Sequence, residues 1–228
     1  MEDPLAHGTC QDCKEQYTSL GKHIAQSSCD YPELTSRQKQ ILRGALLGDG
    51  NIDFHNNGYP RYRLGSVEPK FLSWFSDEIY NIVNKKSVRI QHSDDDPNHQ
   101  DYYMLRTISH PYFKKLRTWY ESGSKILPKD VLTPMELKMW YVTDGGLSGG
   151  TPTLRLDNER SSIYEHKENF EQIGISPTVV DDERQLNFLE SDWERLFEYM
   201  GAPVPGFEYK WDVNFPDESV RNGIERVK

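Results

Sequence analysis

The chain has 228 residues, 27 basic and 36 acidic, for a formal net charge of −9. Apolar residues make up 36% and aromatic ones 12%, with a mean hydropathy of −0.79. Enough aromatic side chains are present to build a core, which excludes wholesale disorder, and no apolar run reaches the roughly 20 residues that span a bilayer. The N-terminus, MEDPLAHGTC, has no basic segment followed by an apolar one, so no signal peptide is expected. The chain reads as soluble and intracellular. The acidity fits a salt-rich cytoplasm, that of a halophilic archaeon or its virus.

Charge is unevenly distributed. Residues 1–36 carry a net −4, residues 37–125 a net +4 and residues 126–228 a net −9. A basic segment on an acidic body can still bind a polyanion, because the local field decides.

All three cysteines lie in the first 29 residues. An odd count in one short segment points to metal ligation rather than disulfides. Cys10, Cys13, His23 and Cys29 have the spacing C-x2-C-x9-H-x5-C. This looks like a Cys-Cys-His-Cys zinc finger, whose knuckle sets two thiolates on one turn of a tetrahedral site. Tyr17 and Leu20 alone make a small core, so bound zinc has to supply much of the module's stability. His7 is an alternative ligand to His23.

The remainder contains a repeat. LRGALLGDG (Leu42–Gly50) and LKMWYVTDG (Leu137–Gly145) are both helix-like stretches ending in Asp-Gly, and Asp49 and Asp144 lie 95 residues apart. In the first copy, Thr35 or Ser36 caps a helix. Strands at 51–55 and 61–64 flank an Asn57-Gly58 turn. A helix over 69–84, strands at 87–92 and 102–108 around a polar loop, and a helix over 111–121 complete the order αββαββα. The second copy repeats it: helix 134–143 behind Thr133, strands 145–149 and 153–157, helix 162–173, strands 178–181 and 185–189, helix 192–200. The tail is irregular. Expected boundaries are 1–33 for the zinc module, 34–124 and 125–211 for the repeats, and 212–228 for the tail.

The two Asp-Gly helices, their spacing and the repeated order resemble the LAGLIDADG homing endonucleases in their single-chain, two-motif form. The resemblance covers about residues 34–211, and Lys125–Gly146 (KILPKDVLTPMELKMWYVTDGG) looks especially like that family's linker and second motif. It implies an α+β fold of two pseudo-twofold repeats whose motif helices meet at the axis. Gly44, Ala45 and Gly48 suit a close approach there, whereas Met139 and Trp140 depart from the small residues the family favours; Thr143 matches Gly48 in position. It further implies catalytic Asp49 and Asp144 sharing Mg2+ (or Mn2+) with Gly48 and Thr143 at the same site, and a basic catalytic Lys125. Pro203 stands at the second copy's equivalent of Lys125, leaving Lys210 as a substitute. Gly50 and Gly145 permit the turn out of each helix.

Four strands per copy leave one sheet face for double-stranded DNA. Alternation turns Ile52, Phe54, Tyr62, Leu64, Val88 and Ile90 inward, and Asn51, Asp53, His55, Arg61, Arg63, Arg89 and Gln91 toward DNA; Arg106 is ambiguous. In the second copy Leu154, Leu156, Leu186 and Phe188 point inward, leaving Thr153, Arg155, Asp157, Gln185 and Asn187. These polar types read base edges in the major groove.

The expectation is a monomeric, metal-dependent DNA endonuclease acting in the mobility of an intron or similar element. Intein hallmarks are missing at both ends, which favours a free-standing enzyme. The alternatives are a non-cleaving DNA-binding regulator or RNA maturase on the same fold, and a zinc-finger interaction protein with the repeat as scaffold.

Overall fold

The computed structural model describes residues 6–54, 58–91, 102–121, 124–125, 132–156, 163–180 and 184–214; the side chains at 86–87, 91, 120–121 and 124–125 lie outside that description. In chain order the elements are α1 (Leu20–Gln26), α2 (Ser36–Leu47), β1 (Asn51–Asp53), β2 (Arg61–Ser66), α3 (Pro69–Glu78), β3 (Val83–Gln91), β4 (Tyr102–Thr107), α4 (Pro111–Lys115), β5 (Tyr120–Glu121), β6 (Ser124–Lys125), α5 (Pro134–Asp144), β7 (Gly145–Ser148), β8 (Thr151–Arg155), α6 (Ile163–Gln172), β9 (Thr178–Val180), β10 (Gln185–Asn187) and α7 (Glu190–Met200). The chain divides into two compact units, Met1–Lys39 with Asp49–Arg117, and Gln40–Gly48 with Thr118–Lys228.

The first unit holds an antiparallel sheet in the order β1-β2-β4-β3. Its inner face buries Tyr62, Leu64 and Leu105 with Phe71, Phe75 and Phe113 from the helices. Helix α2 starts at a reciprocal cap: Gln38 N donates to Thr35 Oγ1 at 3.1 Å and Thr35 N to Gln38 Oε1 at 3.0 Å. Proline opens α3 and α4, where a backbone donor has no intrahelical partner in any case.

Two helices are shorter than their apolar periodicity predicts. The expected helix 69–84 ends at Glu78; a 3-10 turn follows and β3 begins at Val83. Asn81 accounts for the break. Its buried amide donates to Glu33 O at 3.1 Å and accepts from Gln38 Nε2 at 2.9 Å, contacts that fix an irregular backbone. The expected helix 111–121 is α4 followed by a 3-10 turn over Leu116–Trp119. Helix α1, within the cysteine module, has too little apolar pattern to be read from sequence.

The N-terminal module is packed onto the first repeat. Gly8 N donates to Val83 O at 3.1 Å, and Lys85 Nζ to Gln16 Oε1 at 3.2 Å. Gly21 abuts Ile108, where an added Cβ would lie 3.2 Å from the isoleucine Cβ. His110 is buried; its Nδ1 accepts from Tyr112 N at 3.1 Å while Nε2 lies 2.9 Å from Pro32 O. That pattern is the neutral imidazole, and burial lowers the ring's pKa further below its ordinary value.

The second unit repeats the sheet order as β7-β8-β10-β9. Its core gathers Trp140, Tyr141, Leu154, Phe170, Phe188 and Leu196, together with Leu47 of α2. Residues of α2 from Gln40 on, and Gly48 just after it, approach α5. A Cβ at Gly44 would lie 2.7 Å from Glu136 Cα and from Met139 Cβ; one at Gly48 would lie 2.8 Å from Thr143 Cβ. Glycine on one helix therefore accepts the larger Met139 and Thr143 on the other, so the seam is close despite the departure in the second copy. Trp140 belongs to the second repeat's core, its ring edge-on to His166 at 5.4 Å.

Glu136 fastens the same seam. It completes a capping box with Thr133 and lies 3.1 Å from Arg43 Nε of α2, with its side chain 4% exposed. Removing one partner of a buried pair leaves the other charge uncompensated. Glu136→Ala is expected to cost about 3 kcal/mol in urea unfolding, and Glu136→Gln less, because the amide oxygen still caps the helix; equal stability of Glu136→Ala and wild type would contradict this.

Candidate functional site

Helix α5 ends in Thr143 and Asp144, where its unpaired carbonyls make a negative helix end. Thr143 Oγ1 turns back to donate to Met139 O at 3.0 Å and Trp140 O at 3.1 Å, which directs the hydroxyl into its own helix. A Cβ on Gly48 would come within 3.0 Å of Asp144 Cγ, so the Asp144 carboxyl group lies against the residue that precedes Asp49. Gly145 leaves the helix with φ −87° and ψ 163°, an extended geometry open to any residue. Space is what demands glycine there: a Cβ would fall 2.9 Å from Cε2 of the Tyr141 ring. Asp49 itself lies in the turn between α2 and β1.

Lys210 reaches this helix end from a 3-10 turn at Glu208–Trp211. It is 5% exposed, and its Nζ donates to Val142 O at 2.8 Å and Gly145 O at 2.5 Å. An ammonium on these carbonyls offsets the negative helix end and flanks Asp144 on both sides in sequence. Tyr141 fixes the same segment, its hydroxyl donating to Lys210 O at 3.1 Å. Sequence spacing pointed to Pro203 first because no periodicity signals an irregular tail folding back onto a helix. Lys125 lies in β6, paired with Tyr120; its side chain is outside the described residues.

The first sheet sorts its residues as alternation predicts, with exceptions at its ends. Opposed residues of an antiparallel pair share a face. Asn51 pairs with Arg63 and Arg63 with Arg106; Asp53 pairs with Arg61; Arg89 pairs with Met104 and Gln91 with Tyr102. Arg106, ambiguous in sequence, therefore joins Arg61, Arg63 and Arg89 on the outer face. Arg63 and Arg106 stand directly opposite one another, which is unfavourable in isolation; Asp53 Oδ1 at 3.2 Å from Arg63 Nε offsets part of it. Phe54 and Ile90, expected to point inward, are not buried: they are 38% and 50% exposed. Phe54 follows the last paired residue of β1 and sits under the Arg117 guanidinium at 5.9 Å, and Ile90 lies one residue from the end of β3.

Among the described residues, the second sheet's outer face carries little charge. Arg155 pairs with Gln185 and Thr153 with Asn187. Gln185 Nε2 donates to Asn187 Oδ1 at 2.6 Å. Thr153, expected to face outward, is buried; its hydroxyl lies 3.4 Å from Gly146 O, which turns it onto the neighbouring strand. The expected contacts His55 and Asp157 lie outside the described residues, as does the side chain of Gln91.

Cys10, Cys13, His23 and Cys29 come together as the spacing predicts, their ligand atoms within 4.8 Å of one another. Zinc bonds of about 2.3 Å to sulfur and 2.0 Å to nitrogen set tetrahedral ligand separations of about 3.5–3.8 Å. Cys13 Sγ and His23 Nε2 are already 3.6 Å apart. The knuckle is held by Cys10 N donating to Glu15 O at 2.9 Å and by a left-handed Lys14 at φ 64°. Tyr17 stacks on His23 at 3.7 Å and contacts Cys13 Sγ at 3.5 Å. That hydrogen bond lowers the Cys13 pKa and pushes Tyr17 up to about 12, the pattern of a phenol donating to a thiolate. His7, the alternative ligand, is turned away to Asp77 at 3.1 Å.

Replacing Lys210 by methionine strands the carbonyls of Val142 and Gly145. The expected cost is about 1.5–3 kcal/mol in chemical unfolding; a change below about 0.5 kcal/mol would mean that water replaces the ammonium without loss.

A sequence profile of the LAGLIDADG DNA endonuclease family matches residues 39–171, more than half of the chain. The chain is 28% identical over 142 residues to Protein RecA of Mycolicibacterium chitae, covering 57% of this chain and 30% of that one. It is 25% identical over 139 residues to the cytochrome b mRNA maturase bI2 of Debaryomyces hansenii, covering 55% of this chain and 52% of that one. The chain therefore spans under a third of that RecA protein and about half of the maturase. Its fold superposes on a solved structure of the homing endonuclease I-WcaI bound to its DNA recognition sequence, with a TM-score of 0.70 and 16% identity, over 79% of this chain and 88% of that one. The matched segment takes in both Asp-Gly helices and the first sheet, and on that match the chain belongs to the LAGLIDADG DNA endonuclease family.

Proposed function

We propose that the chain is a site-specific, double-stranded DNA endonuclease that hydrolyses phosphodiester bonds with a divalent metal, acts as a monomer, and supports the mobility of an intron or similar element. The observation that carries this reading is the seating of the Asp144 carboxyl against Gly48, whose next residue in the chain is Asp49. Two carboxylates from the ends of two motif helices form a hard oxygen donor set suited to Mg2+ or Mn2+.

In this reading Asp49 and Asp144 hold the metal, with the backbone at Gly48 and Thr143 completing the site. Bound there, the metal supplies Lewis acidity toward a scissile phosphate and lowers the pKa of water. Lys210 brings positive charge to the residues flanking Asp144, and Lys125 supplies the equivalent charge for the first motif. Arg61, Arg63, Arg89 and Arg106 grip one half of the duplex through guanine edges and phosphates, with Asn51, Asp53, His55 and Gln91. Arg155, Asp157, Gln185 and Asn187 read the other half. The described charge is heavier on the first face, which assigns more of the salt-dependent affinity to the first half-site.

Asp49→Asn and Asp144→Asn are each expected to reduce linearisation of a supercoiled plasmid carrying the uninterrupted target locus by at least about 100-fold in Mg2+. Cleavage equal to wild type by either variant overturns the assignment. The similarity to a yeast maturase favours a second reading, an RNA maturase on the same fold. Wild-type protein that promotes splicing of its host intron yet leaves the plasmid intact would decide for it.

The cysteine module is proposed to hold one structural zinc ion. Elemental analysis of the purified full chain is expected to give about one zinc per chain, lost in Cys10→Ala together with several kcal/mol of stability. Wild-type protein that carries no zinc as purified, or that gives up its zinc to a chelator with no change in melting, would contradict it.

A further inference from the structure

Strand β10 is an inner strand of the second sheet, flanked by β8 and β9. Leu186 enters the core, so Gln185 and Asn187 stand together on the outer face, two residues apart and half-buried. Gln185 pairs with Arg155 and Val180, and Asn187 with Thr153 and Thr178. Neither threonine engages the Asn187 amide. The Thr153 hydroxyl lies 3.4 Å from Gly146 O, and the Thr178 hydroxyl donates to the Asn187 backbone carbonyl at 3.3 Å.

The two amides bond to each other instead. Gln185 Nε2 donates to Asn187 Oδ1 at 2.6 Å, and neither side chain makes another hydrogen bond among the described residues. A primary amide carries one acceptor oxygen and one donor nitrogen. A single bond between two amides engages the donor of one and the acceptor of the other. The atoms left wholly free are Asn187 Nδ2, a donor, and Gln185 Oε1, an acceptor. Turning both amides over would free Asn187 Oδ1 and Gln185 Nε2, again one acceptor and one donor. The tied pair therefore presents the same mixed pattern in either orientation. The bond also restricts both side chains before a partner arrives, so less rotamer freedom is lost on binding.

In the major groove, adenine alone sets an acceptor, N7, beside a donor, N6. Guanine sets two acceptors there, N7 and O6, so the acceptor of the pair would meet O6 oxygen to oxygen. Cytosine offers a donor alone, and thymine an acceptor beside its methyl group. We propose that Gln185 and Asn187 act as one composite reader that selects a single adenine in the second half-site. The inference rests on the DNA-reading role proposed for the sheet faces and deepens it, because it assigns one base to two residues jointly.

The test is selection of a randomised duplex library by the full chain in Ca2+, followed by competition between duplexes that differ at one base pair. For wild type, replacing one adenine of the selected site by guanine is expected to weaken binding about ten-fold or more. Gln185→Ala and Asn187→Ala are each expected to bring the ratio at that same base pair below about two-fold, and the double variant to add nothing further. Asn187→Asp keeps an oxygen for the Gln185 bond and exchanges the free donor for an acceptor. It is expected to move the preference at that base pair to cytosine, whose N4 donates. Relaxation at two different base pairs, a preferred base other than adenine, or a preference that neither alanine variant changes overturns the composite reader and leaves site-specific binding standing. Wild-type protein that enriches no sequence overturns the site-specific reading itself, and the inference with it.

Discussion

The second unit depends on two helices approaching at glycine. Gly44 and Gly48 leave no room for a side chain against Glu136, Met139 and Thr143, so α2 and α5 meet nearly backbone to backbone. Dispersion falls off steeply with a gap, so the close approach at Gly44 and Gly48 strengthens the contacts made there. The Arg43–Glu136 pair and the Thr133 capping box fix the register of α5 along it. The consequence is positional: the Asp144 carboxyl lies against Gly48, one residue short of Asp49. A larger residue at Gly48 would meet Thr143 first and the Asp144 carboxyl next.

The fold was legible to the extent that it rests on period and punctuation. The repeated Asp-Gly helices, the alternation of Ile52, Tyr62 and Leu64, and the Thr133 cap are local signals, and each appears in the structure. The cysteine cluster was legible because metal-ligand spacing is local too. Helix ends were not, because apolar periodicity continues through Ile79, Ile82 and Val83 while the buried amide of Asn81 fixes a turn among them. Lys210 was only half legible. Its identity was visible, but its hydrogen bonds to Val142 and Gly145 come from a tail that crosses 65 or more residues of sequence to reach α5.

The repeats share a strand order and differ in what they present. The first outer face collects Arg61, Arg63, Arg89 and Arg106, and the second has Arg155 among neutral amides and hydroxyls. The zinc-type module is attached to the charged repeat, through Gly8 to Val83 and Gln16 to Lys85 at the start of β3. The cysteine-bearing module thus braces, through Gly8 and Gln16, the start of the strand whose far end carries Arg89. On the two outer sheet faces, the described positive charge thus collects on the first, and its attraction to polyanions is local.

The central claim is that Asp49 and Asp144 bind one divalent site together. Anomalous diffraction from Mn2+ in crystals of the full chain with duplex DNA tests it directly. The account predicts manganese density in contact with both carboxylates, beside a backbone phosphate. Manganese bound elsewhere, or the two carboxylates separated beyond the reach of a shared site, would contradict it.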